Sequence, residues 1–98
     1  MNKLNKNLKT AKQLERHFKG VANHHRINIL LLISQRKDIC VEDIAKELDC
    51  NMKTISEHTK KLTHAGLINK RYLGKEVGHT LSPYGKIFLR FIKSFQSL

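Results

Sequence analysis

Residues 51–68 read NMKTISEHTKKLTHAGLI. Asn51 is a residue whose side chain accepts from the free amides at a helix start. Ile55, Thr59 and Leu62 follow at i, i+4 and i+7, one inward stripe. Lys53, Ser56, Glu57, Lys60 and Lys61 take the other side, where they can reach water or phosphate. Gly66 closes the run, the residue best suited to a left-handed C-cap. A short helix of this kind on a basic chain, entered from another short helix through a tight turn, has the layout of a DNA recognition helix. Periodicity alone fits a solvated surface helix equally well. The flanking chain decides.

Upstream, Val41, Ile44, Ala45 and Leu48 mark the inward face of a helix over about 41–48, with Glu42 and Asp43 in its first turn. Asp49–Cys50–Asn51 then leads into the recognition candidate, so two short helices meet across three residues. Asp38–Val41 has the length of a single extended pairing strand. Farther back, Asn23 caps a second helix, His24 to about Ser34, whose core residues are expected to be Ile27, Leu30, Leu31 and Ile33. Leu4, Leu8, Ala11, Leu14, Phe18 and Ala22 predict a long first helix, its other faces carrying Lys3, Lys6, Lys9, Lys12 and Arg16.

Downstream the period changes. Leu67–Leu73 and Glu76–Leu81 flank Gly74–Lys75, the pattern of a two-residue hairpin turn. Lys70, Arg71, Tyr72 and Lys75 cluster near its tip, which favours a DNA-contacting wing over a plain core-closing hairpin. Ser82 and Pro83 restart a helix as N-cap and first residue. Tyr84, Phe88, Phe91 and Phe95 repeat along it, with Ile87 and Ile92 beside them. So wide an apolar face exceeds what a small monomer covers, so this helix and the first are expected to form a dimer interface through Leu4, Leu8, Leu14, Phe18 and the final apolar stripe. Packing within one subunit is the alternative.

Ninety-eight residues, 40% of them hydrophobic, suit one folded domain. No apolar run approaches the roughly 20 residues of a membrane span, and MNKLNKNLKTAKQ lacks the apolar core of a signal peptide, so a cytoplasmic, nucleoid-associated protein is expected. The net charge is +11 and uneven. Residues 1–37 hold nine Lys or Arg against Glu15 alone; residues 38–52 hold five acids against Lys46; residues 53–98 hold nine basic residues against Glu57 and Glu76. A basic chain with one acidic patch fits a nucleic-acid binder that keeps one surface off the phosphates. Simple solubility charge is the bland alternative.

From about Val21 to Leu81 the chain resembles the ArsR-type winged helix-turn-helix repressors of bacteria and archaea. DICVEDIAKELDCNMKTISEHTKKLTHAGLI is similar to that family's helix-turn-helix, most strongly at Thr54-Ile55-Ser56, His58, Leu62 and Ala65-Gly66-Leu67-Ile68. HHRINILLLI resembles its Arg-x-x-Ile-Leu helix, with Asn23-His24 where Asp-Pro is common, and LSPYGKIFL is closer to other winged-helix repressors. The resemblance implies a two-fold dimer whose recognition helices enter the major groove at half-sites about one turn apart. It places Met52, Lys53, Thr54, Ser56, Glu57 and His58 toward DNA, with Asn51 at the helix start and Lys60 and Lys61 on phosphates. Glu57 departs from the basic residue common there, and a carboxylate suits a cytosine amino group.

Many members of that family sense metals. Cys40 matches the first cysteine of a Cys-x-Cys box, but Glu42 stands at the second position, and Ser82–Leu98 holds no His, Asp, Glu or Cys for a last-helix site. His24 and His25 are the remaining candidates to join Cys40, although adjacent His pairs are more often surface polar residues. Soft metals want several convergent S or N donors, and no metal or other cofactor is expected. Cys40 and Cys50 bracket the third helix at roughly 15 Å of helical rise, too far for a disulfide without unfolding it. A helix start favours thiol reactivity at Cys40, but the simpler reading, Cys40 as a plain cap and Cys50 filling a turn, is preferred. No phosphate loop or nucleophile motif points to an enzyme.

The expected fold is mainly α with a small β-hairpin: a winged helix-turn-helix of about five helices plus a two-stranded wing. Residues 1–98 form one domain, with 1–22 and 82–98 for dimerisation and 39–81 as DNA-reading core and wing. The expected function is a homodimeric, sequence-specific double-stranded DNA-binding regulator, a repressor, with no membrane partner and no obvious small-molecule site. The rival is a sequence-indifferent, chromosome-coating protein, favoured by the basic N-terminal third. A third reading makes the acidic patch a docking face of a protein-interaction module.

Overall fold

Four helices of the computed structural model, which describes residues 7–98, begin at a side chain that accepts from their first free amides. Thr10 starts α1 (Ala11–Val21), Asn23 starts α2 (His24–Gln35), Asn51 starts α4 (Met52–His64) and Ser82 starts α5 (Pro83–Gln96). The exception is α3 (Val41–Glu47): Cys40 stands at its cap position and makes no cap hydrogen bond. The strands β1 (Ile68–Leu73) and β2 (Glu76–Leu81) pair antiparallel, from Ile68 opposite Leu81 to Leu73 opposite Glu76. Gly74 and Lys75 turn between them. Ile39 forms an isolated bridge to His79, the short pairing segment expected ahead of α3.

The first helix departs from expectation. Its leucine stripe continues backward through Leu8, yet residues 7–10 are not helical and Leu8 is exposed. The reason is a capping box: Thr10 accepts from the Gln13 amide, and the Gln13 side chain accepts from the Thr10 amide. Leu4 lies outside the described residues. The inward face of α1 is also rotated from the Leu14–Phe18 line. Its one buried residue is His17, whose Nδ1–H donates to the Ala65 carbonyl at 2.6 Å, while Leu14 and Phe18 stay exposed.

The core lies between α2, the helix-turn-helix and the hairpin, and is built from Ile29, Leu30, Ile33, Ile44, Ile55 and Leu62, with Leu67 and Ile68 entering from the exit of α4. In α2 the buried residues are Ile29, Leu30 and Ile33; Ile27 and Leu31 are only half-buried. That helix is apolar around most of its middle, so periodicity did not single out its buried face. Gly66 adopts φ 75°, as its place after α4 requires. Ser82 then ties the layers together: its hydroxyl donates to the Gly66 carbonyl at 2.6 Å and accepts from the Gly85 amide at 3.0 Å. His79, fully buried, donates from Nδ1 to the Ile39 carbonyl at 2.9 Å and fastens the hairpin to the start of the helix-turn-helix. No helix among the described residues is long and apolar enough to cross a membrane.

Candidate nucleic-acid interface

The position of α4 is set from both ends. At its start, Asn51 Oδ1 accepts from the amides of Lys53 at 2.7 Å and Thr54 at 3.4 Å. That oxygen is therefore committed to the cap, leaving the Asn51 side-chain NH2 for an outside acceptor. On its inner side Ile55, Thr59 and Leu62 are buried, which turns Lys53, Glu57, Lys60 and Lys61 outward. Met52 is half-exposed at the leading turn, and Thr54 and Ser56 are half-buried at the margins. Asp49, at φ 51°, makes the sharp entry from α3.

His58 behaves differently from its neighbours. Its ring stacks on His25 of α2, with centroids 5.1 Å apart, and His25 in turn lies against His24. His58 Nδ1 is shielded from solvent and has no hydrogen-bond partner among the described residues. Burial pushes its pKa below the ordinary 6.5; Arg26, His25 and Lys61 act in the same direction, against Glu57. The ring is therefore neutral at pH 7 and leans on α2 rather than projecting outward.

The hairpin presents Lys70, Tyr72 and Lys75 as exposed side chains, Tyr72 being 75% accessible. Arg71 is exposed but not free: its guanidinium donates to Asp38 Oδ2 at 3.3 Å, clipping the wing to the loop before α3. The acidic patch is likewise partly spent. Arg36 bridges Glu47 at 3.0 Å and Asp43 at 3.8 Å. With Asp38 held by Arg71, only Glu42 and Asp49 of that patch lack an ion pair among the described residues.

The expected dimer residues fall into two groups. Phe88 and Ile92 pack against the protein's own core, and Tyr84 stacks on His17 with Lys9 Nζ 4.6 Å from its ring. Phe18, Ile87, Phe91 and Phe95 remain more than half exposed. Phe18 meets Phe88 edge-on and Phe91 meets Phe95 likewise, so the outward rings form a continuous apolar face on α1 and α5. Sequence reasoning missed His17 and His79 as buried anchors. The spacing of His17, Gly20 and Val21 at i, i+3 and i+4 marked the inward face of α1, but a polar residue at its centre hid it.

The cysteines sit at opposite ends of α3. Cys50 Sγ–H donates to the Leu48 carbonyl at 3.3 Å and lies 3.9 Å from His25 Nδ1. His25 thus neighbours Cys50, and among the described residues no three His, Cys, Asp or Glu side chains converge as a metal-holding group.

Residues 23–70 match the family of bacterial regulatory proteins, arsR family. The arsenical resistance operon repressor of Escherichia coli is 39% identical over 67 residues, covering 68% of this chain and 57% of that protein. The chain thus spans little more than half the length of the curated relatives it matches. Vibrio cholerae HlyU superposes with a TM-score of 0.81 at 23% identity, over 92% of this chain and 98% of its own. A homodimeric winged helix-turn-helix DNA-binding domain from Mycobacterium bovis, a possible ArsR-family regulator, gives 0.74 at 29% identity over 88% and 77%. The helix-turn-helix match, the hairpin beside it and these likenesses together make the chain a member of the ArsR-type winged helix-turn-helix transcriptional regulators.

Proposed function

We propose that the protein is a homodimeric repressor that binds double-stranded DNA at specific sites, with α4 in the major groove and the wing on the flanking backbone. One observation carries this reading: a capped α4 exposes Met52, Lys53 and Glu57 at its leading end, beside a hairpin bearing Lys70, Tyr72 and Lys75. Lys53 suits guanine and Glu57 suits a cytosine amino group, whereas Thr54 and Ser56 reach either phosphates or base edges. Lys60, Lys61 and the wing cations serve phosphates, which position the protein without reading sequence. Arg71 supports the wing through Asp38 and is a positioning residue in this scheme.

Dimerisation through Phe18, Ile87, Phe91 and Phe95 is supported by their exposure and by the homodimeric Mycobacterium bovis neighbour. Two recognition helices then read a two-fold symmetric site. The chromosome-coating alternative draws on the overall charge of +11. An acidic docking face is disfavoured, since Arg36 and Arg71 already pair three of its five acids. A gel-shift titration against excess unrelated competitor DNA separates the first two. A complex with upstream DNA that survives competitor supports a site-specific regulator; one that dissolves in proportion to competitor supports coating.

A further inference from the structure

Between α1, α2 and the far end of α4 lies a cleft of about 480 Å³ lined by Arg16, Lys19, Arg26, Lys60, Lys61 and His64. Its floor is fixed by a close approach: a Cβ on Gly20 would run into the Ala65 side chain, so α1 crosses directly over the end of α4. Glu15 pairs with Lys19 at 3.3 Å on the outer side, and no other carboxylate among the described residues forms an ion pair with the cleft. Arg26 Nε is shielded from solvent without an acceptor among those residues. A shallow surface carrying this many cations and so little acid attracts an anion.

Its place on α4 indicates which anion. Lys53, Glu57, Lys60 and His64 follow one another at steps of 4, 3 and 4, one exposed stripe that runs from the leading end of the helix into the cleft. At 1.5 Å per residue, Lys60 lies about 10 Å and His64 about 16 Å beyond Lys53. The major groove is about 12 Å wide. With Lys53 inside the groove, the turn from Lys60 to His64 therefore reaches its phosphate rim. Arg16, Lys19 and Arg26 extend the same positive surface past that rim.

We propose that this cleft is a phosphate subsite that takes the DNA backbone flanking each half-site, and so clamps the trailing end of the recognition helix. The inference rests on the DNA-binding reading above and adds α1 and the start of α2 to the contact surface. Arginine forks match phosphate oxygens two at a time, so Arg16 and Arg26 are the principal ligands, with Lys19, Lys60 and Lys61 as point charges. The subsite carries affinity and no sequence information.

The test is an anisotropy titration at several salt concentrations on two duplexes, one with flanks and one trimmed to the half-sites. Wild type is compared with the double variant Arg16→Gln/Lys19→Gln and with Arg26→Gln, each checked for an unchanged circular dichroism spectrum. On the flanked duplex the double variant is expected to bind about tenfold more weakly, with a salt slope smaller by about 1 to 2, equally for specific and scrambled sequences. On the trimmed duplex wild type and variants should coincide. Equal slopes and affinities on the flanked duplex, or a deficit that persists after trimming, would overturn the subsite. Wild type that binds neither duplex with any salt dependence would instead overturn the DNA-binding reading itself. A parallel titration with pyrophosphate separates a free phosphorylated ligand. Saturable binding lost in the variants, together with no effect of flank length, would remove the cleft from the DNA surface.

Discussion

His17 lies on α1 and His58 on α4, and their surroundings give them different work. His17 is a buried clamp. Its Nδ1–H bond to the Ala65 carbonyl and its stacking on Tyr84 join α1, α4 and α5 at one point. Removing the ring leaves a buried carbonyl without that donor, so His17→Ala should lower stability by about 1–3 kcal/mol in urea unfolding. A change of only a few tenths would remove His17 from the list of anchors. His58 is instead a charge-averse ring beneath the recognition face. Its pKa lies lower folded than unfolded, so below 6.5 the unfolded chain binds more protons. Stability is thus full above that pH and drains as pH falls through it toward the folded value. His58→Gln should flatten the decline of the urea midpoint between about pH 7 and 5.5. An unchanged slope would contradict the assigned burial of the ring.

Among the elements, the proposed function gives specificity to α4 and affinity to the hairpin. Glu57 is the acid on the outward face of α4, and a carboxylate repels phosphate unless it accepts from a base. Glu57→Ala should therefore alter the base preference found by site selection more than it alters affinity. An unchanged preference with tighter binding would reduce Glu57 to a repulsive bystander. The elements that read most clearly from sequence were those whose caps and periodicity agreed: Asn51 and Gly66 around α4, Gly74–Lys75 in the hairpin, and Ser82–Pro83 before α5. The first helix read less well because two signals competed there. The leucine stripe through Leu8 argued for helix, and the Thr10–Gln13 box started the helix three residues later. The wing cations were visible, but the capture of Arg71 by Asp38 joins residues 33 positions apart and leaves no local trace. His79 was hidden for the same reason: its partner Ile39 is remote in sequence.

At the scale of the whole molecule, exposed cations stand beside an exposed apolar face that Arg90 borders. The cations of α4, the wing and the α1–α4 cleft are exposed or line open surface, and Phe18, Ile87, Phe91 and Phe95 form an apolar face on α1 and α5. A face of this kind is covered by a second copy in the proposed assembly, which places two recognition helices on one DNA molecule. Phe91→Asp should shift the protein from dimer to monomer in sedimentation velocity and weaken binding to a two-half-site duplex by tenfold or more, with little loss on a single half-site. A monomeric wild type would contradict the dimer outright. Whether the protein reads sequence is decided by fluorescence anisotropy on its own upstream DNA and on scrambled DNA across a range of salt. A preference for the upstream site of about 10³-fold or more is expected at physiological salt. A ratio near one there, with a steep salt dependence and no preferred sequence recovered by site selection, would contradict it.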